Sequence, residues 1–182
     1  MRTLRIALFA LPLLFAPSVF AQPAAGITWT APSSWKKGEP RPMRAATYVI
    51  PAQKGDPEDA ELGVFAFGPG QGGSVEMNIQ RWIGQFQQPD GGPSDKVAHV
   101  AHLKVHKMAV TTLDLSGTYV TSMGPPMMGG QKVHKENFRI LGAIVEGPEG
   151  AVFFKLVGPK KTVAAQKKAF DRLIQSIQKT QP

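Results

Sequence analysis

The chain contains no cysteine. That absence removes structural disulfides, thiolate metal sites, a cysteine nucleophile and any lipid-bearing cysteine behind a signal sequence. Acids are scarce as well, with 13 Asp+Glu against 21 Lys+Arg. Most of them, including Asp56, Glu58, Asp59, Asp90, Asp95, Glu146 and Glu149, fall in expected turns. Spacing therefore brings no two carboxylates together for acid–base work. A Gly-x-Ser-x-Gly elbow and a His-Glu-x-x-His helix are both missing. So is any apolar run, after the first twenty-one residues, near the roughly 20 that cross a bilayer. Without staples the domain must be held by its core, and a chain of 182 residues is long enough to bury one.

What the sequence does have begins at its start. Arg2 and Arg5 precede the apolar run Ile6 to Phe15, Pro17 breaks the helix, and Val19-Phe20-Ala21 offers small residues for cleavage. This is the layout of a secretory signal. The expected organisation is a cleavable signal over 1–21 and a single domain over 22–182, with the mature chain starting at Gln22. Pro12 and Pro17 interrupt the run, so no membrane span is expected after cleavage. The two arginines are not adjacent, which excludes a twin-arginine signal. Export places the protein in the periplasm or outside the cell, away from nucleic acid. Without Arg2 and Arg5 the balance is 19 basic against 13 acidic side chains. The basic residues are spread thinly, Lys36-Lys37, Lys160-Lys161 and Lys167-Lys168 being the densest pairs. They read as solubilising charge that also suits anionic envelope surfaces.

Strand-like runs alternate with Gly/Pro punctuation. Ile27 to Thr30, Met43 to Ile50 and Glu61 to Phe67 read as strands. Gly68 to Gly73 then leads into a helix with Ser74 as N-cap, and Val75, Ile79, Trp82, Ile83 and Phe86 form its apolar face. Val97 to Lys104 and Ala109 to Val120 are strands meeting near His106-Lys107. Met123 to Gln131 is a Gly/Pro/Met loop. Asn137 to Val145 and Ala151 to Val157 read as a hairpin. Thr162 is expected to cap a last helix whose stripe is Val163, Phe170, Leu173, Ile174 and Ile177. The runs Gly63 to Phe67, Ile140 to Val145 and Ala151 to Phe154 are apolar nearly throughout, as strands covered on both faces are. The fold class is α+β, a mostly antiparallel sheet flanked by two main helices.

Gly26-Ile27-Thr28-Trp29 with Pro32 and Trp35, the stretch Asp114 to Tyr119, and Phe154 to Pro159 with Phe170 and Ser176 carry a resemblance. Together they resemble exported PsbP-like domains, α/β/α sandwiches related in fold to the extrinsic PsbP subunit of photosystem II. The resemblance runs from Gly26 to Gln178. It implies that fold, assigns no catalytic residue, and leaves function open because fold does not fix function.

Four patterns could carry chemistry. His99, His102 and His106 would share a helix face and could hold a divalent metal, but on the expected strand they diverge. Met123, Met127 and Met128 with His134 offer soft ligands for Cu(I), with Met108 as a further thioether; equally, pliable methionines fill gaps or make contacts. Gly68 to Gly73 and Lys160-Lys161-Thr162 stand before helices where an oxyanion could sit, yet neither has Walker or dinucleotide spacing. Trp35, in a Pro-rich loop, is open to sugar stacking or to packing. The expectation is an exported, non-catalytic interaction or binding module of the cell envelope, needing no cofactor and partnered by a protein or envelope component. A small-molecule or soft-metal binding module and a hydrolase without a local motif are the alternatives.

Overall fold

A computed structural model of the chain describes residues 23–123 and 131–180. The expected signal over 1–21 and the centre of the methionine loop lie outside them. The elements run β1 (Ile27–Thr28), β2 (Lys36–Lys37), β3 (Ala46–Ile50), β4 (Ala60–Ala66), α1 (Val75–Ile83), β5 (Phe86–Gln87), a 3-10 turn (Ser94–Lys96), β6 (His99–Val105), β7 (Met108–Met123), β8 (Gln131–Gly147), β9 (Gly150–Pro159), α2 (Lys160–Gln175) and β10 (Gln178–Lys179). The fold is α+β with every described strand pair antiparallel. One sheet runs β2-β3-β4-β9-β8-β7, and the far edge of β7 is shared by β6 and β5. A separate pair, β1 and β10, joins the two ends of the domain.

Alternation along the strands sorts side chains onto two faces. Leu141, Ala143, Val145, Val152, Phe154 and Leu156 are buried with Val163, Phe170, Leu173, Ile174 and Ile177, the expected α2 stripe. Their neighbours Ile140, Ile144 and Phe153 are buried with Ile79, Trp82 and Ile83 of α1. Each helix thus covers the face opposite the other, which is why these strands carry apolar residues at successive positions.

Turn chemistry sets the register. The β8–β9 hairpin closes through Pro148-Glu149, with Gly147 opposite Gly150, in the expected place. The β6–β7 hairpin closes through His106 and Lys107, both at positive φ (46° and 67°), as a two-residue turn matched to strand twist requires. The His106 ring holds that turn by donating from Nδ1 to the Ile177 carbonyl at 2.7 Å. The Met123 to Gln131 loop is shorter than expected, because β7 and β8 continue pairing up to Met123 opposite Gln131.

Strand β1 stops at Thr28, β6 starts at His99, β7 runs Met108–Met123 and β8 begins at Gln131, and three further boundaries move. Helix α1 ends at Ile83, and Phe86 belongs to β5, paired with Tyr119. Phe86 is buried all the same, and Val75 at the other end only partly so. Met43 is not in a strand; it sits at positive φ with its side chain 75% exposed. Helix α2 starts at Lys160, so Thr162 lies in the first turn instead of capping it. There Asp56, from a distant loop, accepts from the Thr162 amide (2.8 Å) and hydroxyl (2.5 Å). Ser74 does cap α1, accepting from the Met77 amide at 3.1 Å.

Candidate functional site

Helix α1 covers only part of its face of the sheet. Beyond it that face forms a cleft of about 320 Å³, reached by Arg44, Glu58, Glu61, Phe65, Tyr119, Lys135, Phe138 and Lys155. Strand parity explains most of this set. Glu61, Gly63 and Phe65 alternate with buried Leu62 and Val64 on β4, and Lys155 alternates with Phe154 and Leu156 on β9. Gly63 leaves room: a β-carbon there would stand 2.9 Å from the Phe65 ring and 3.4 Å from Arg44 Cζ.

Lys135 arrives by a different device. Gly117 pairs with Phe138 and Tyr119 with Lys135, so Thr118 faces two residues, Glu136 and Asn137. Asn137 takes the positive φ (55°) that this β-bulge needs. The extra residue inverts the alternation of β8. Lys135 then shares a face with Phe138, its Nζ 5.4 Å from that ring, instead of pointing to the α2 side with Arg139.

The charges in the cleft are unevenly matched. Glu61 accepts from Arg44 (2.7 Å) and Arg41 (3.0 Å), and Glu58 pairs with Lys135 at 2.5 Å. Asp59 accepts from the Ala52 amide at 2.8 Å. Lys155, in the floor, has only neutral partners: Gln85 Oε1 at 2.6 Å and the Tyr119 hydroxyl at 3.5 Å. No carboxylate of the described residues forms an ion pair with it. Burial, then repulsion from Arg81 and Arg44, lowers its pKa to about 8. Burial pushes the Tyr119 phenol the other way, upward, keeping it protonated.

A second cavity, of about 330 Å³ between α2 and the β6–β8 strands, differs in this respect. Its charges close on themselves: Arg139 grips Asp114 through two bonds of 2.8 and 2.6 Å, and Lys167 pairs with Asp171 at 2.6 Å. The cleft over Lys155 is therefore the stronger candidate.

The three histidines singled out in the sequence are not brought together. His99 and His102 lie on β6, where His102 Nδ1 meets Thr111 Oγ1 at 3.0 Å, and His106 is committed to its turn. Met127 and Met128 lie outside the described residues. Met123 ends β7, and His134 is exposed on β8 opposite Val120. Met108 cannot join them; it is buried fifteen positions along β7, roughly 50 Å away at about 3.3 Å per residue. Trp35 is 6% exposed and donates to Gln166 of α2 at 2.9 Å, so it is packing and not a sugar platform. Gly70, Gly72 and Gly73 are turn glycines at positive φ, and a β-carbon on Gly72 would crowd Phe67 and Phe153. Lys161 of the second corner donates to the Lys54 carbonyl.

Sequence reasoning missed the cleft. One signal was present: Lys155 is a lone charge inside an otherwise apolar run. Its partners come from separate elements, which no local motif could show.

No protein-family profile matches the chain, and no curated protein matches it. Solved structures do. The solution structure of cyanobacterial PsbP (CyanoP) from Synechocystis sp. PCC 6803 matches over 95% of this chain and 99% of its own, at 10% identity and TM-score 0.52. A Pseudomonas aeruginosa protein of unknown function, PA94, matches at 10% identity over 92% of this chain and 99% of its own, TM-score 0.47. LpqN of Mycobacterium tuberculosis, involved in cell envelope biogenesis, matches at 9% identity over 85% and 83%, TM-score 0.46. At 10% identity the likeness to the cyanobacterial protein is one of fold alone.

Proposed function

We propose that this chain, whose fold is PsbP-like, is an exported binding module of the cell envelope that holds a small polar ligand in the cleft over Lys155 and performs no chemistry on it. Residues 1–21 act as the cleaved signal, and 22–182 form one domain, an α/β/α sandwich, in the periplasm or outside the cell. The observation that carries the reading is Lys155: an ammonium set in the floor of a cleft with neutral partners only. Such a charge costs stability in the empty protein and is compensated when a ligand brings the missing partner. The geometry does not favour catalysis, since Glu58 and Glu61 are each tied to basic side chains and no described hydroxyl meets a histidine in the cleft.

The test has two parts. N-terminal sequencing of the exported protein should begin at Gln22; an intact Met1 would overturn the export reading. Mature protein incubated with small molecules extracted from its own envelope, then re-isolated for native mass spectrometry, should carry a bound species that Lys155→Met loses. Turnover of any compound in a hydrolase screen, abolished by the same substitution, would replace binding with catalysis.

A further inference from the structure

We propose that the cleft binds a small organic monocarboxylic acid, its carboxylate on Lys155 Nζ and the Tyr119 hydroxyl, its body against Phe65 and Phe138. This rests on the binding-module reading and names the ligand class. An ammonium has three donors, and Lys155 uses them on Gln85 Oε1 at 2.6 Å and, at the limit of bonding, Tyr119 at 3.5 Å. A third donor is left for a ligand. The protonated Tyr119 phenol supplies another donor beside it, a spacing that the two oxygens of one carboxylate can span.

The surroundings select the sign of the ligand. Arg81 donates to Asn78, a neutral partner, so among the described residues it and Lys155 are two neighbouring cations without a bonded carboxylate. Arg44 adds a third, offset by Glu61. The rim disfavours higher charge through Asp59, which stands at the opening and bonds a backbone amide instead of a basic side chain. Phe65, Tyr119, Phe138 and Val157 give the body of the acid apolar walls. A cavity of about 320 Å³ matches the small end of ligand sites.

The experiment titrates the mature protein with sodium benzoate, and separately with benzyl alcohol and inorganic phosphate. Calorimetry gives affinity, and NMR of labelled lysine side chains reads Lys155 itself. Benzoate should bind saturably at pH 7, raise the pKa of Lys155 by at least one unit, and weaken severalfold by pH 9.5. Lys155→Met should lose at least tenfold in affinity and Tyr119→Phe severalfold, with unchanged circular dichroism. Should Lys155→Met fail to fold, Tyr119→Phe and the wild-type lysine resonance decide the matter. Equal binding of benzyl alcohol, displacement of benzoate by phosphate, or an unmoved Lys155 resonance overturns the proposal. An envelope ligand lost on Lys155→Met, together with no response to benzoate, overturns the monoacid alone and leaves the binding module standing.

Discussion

Trp82 occupies the space a side chain at position 142 would need: a β-carbon on Gly142 would stand 2.6 Å from Trp82 Cζ3. The indole reaches the β8 backbone there and meets Phe153 edge-on, ring centroids 6.4 Å apart. Helix α1 is seated by this contact. Gly142→Ala should therefore push the indole away and cost about 1–3 kcal/mol, an overpacking penalty. Trp82→Ala should cost about 3–5 kcal/mol by leaving a cavity. Urea unfolding curves give both values. A Gly142→Ala protein as stable as wild type would mean that α1 sits farther from the sheet.

On the other face the same logic applies to α2. Leu173 is 1% exposed, within the stripe facing Leu141 and Phe154, whereas Lys168 points to solvent. Leu173→Ala should cost about 2–5 kcal/mol. Lys168→Ala should stay within about 0.5 kcal/mol. Thermal melts of the pair, run side by side, check the orientation of the helix.

Asp56 caps a helix it does not belong to. The α2 N-terminus begins at Pro159 with no capping side chain of its own, and Lys160 and Lys161 in its first turn oppose the helix dipole. Asp56 supplies the anion and the acceptor from another part of the chain. Asp56→Ala should cost about 1–2 kcal/mol, and Asp56→Asn less. Hydrogen exchange should quicken at the amide of Thr162 before it does elsewhere in the helix. Unchanged exchange there would remove Asp56 from this role.

Lys155 predicts an alkaline rise in stability. Its proton leaves near pH 8 in the folded chain and near the usual lysine value of about 10.4 in the unfolded one. Between those limits the unfolded chain binds more protons, so stability climbs with pH, by about 3 kcal/mol in all. Above pH 10 Tyr48 and Tyr119, whose phenols burial pushes up, tilt the slope downward. Lys155→Met should be more stable than wild type at pH 7.5 and equal to it by pH 10. Denaturation at a series of pH values checks the sign, and parallel curves for the two proteins would refute it.

The parts of this fold that repeat a period were legible in the sequence. Ile79, Trp82 and Ile83, the α2 stripe and the β8–β9 hairpin all follow from spacing and turn residues. Phe86 was misplaced because the helical period runs one turn past Ile83, where the backbone in fact leaves α1 for β5. Strands as short as β2 and β10 have no period to read. The PsbP-like fold was visible in local phrases such as Phe154 to Pro159, but the cleft was not. Lys135 enters it only because Asn137 adds a residue to β8, and a single-residue change of phase leaves no compositional trace.

The β1–β10 pair has a consequence for how the molecule comes to exist. Ile27 lies opposite Lys179, and the Thr180 amide bonds to the Gly26 carbonyl at 2.9 Å. The first strand made thus waits for the last, with about 150 residues of loop closure between them. No nascent chain can complete this seam while its tail is still inside a ribosome.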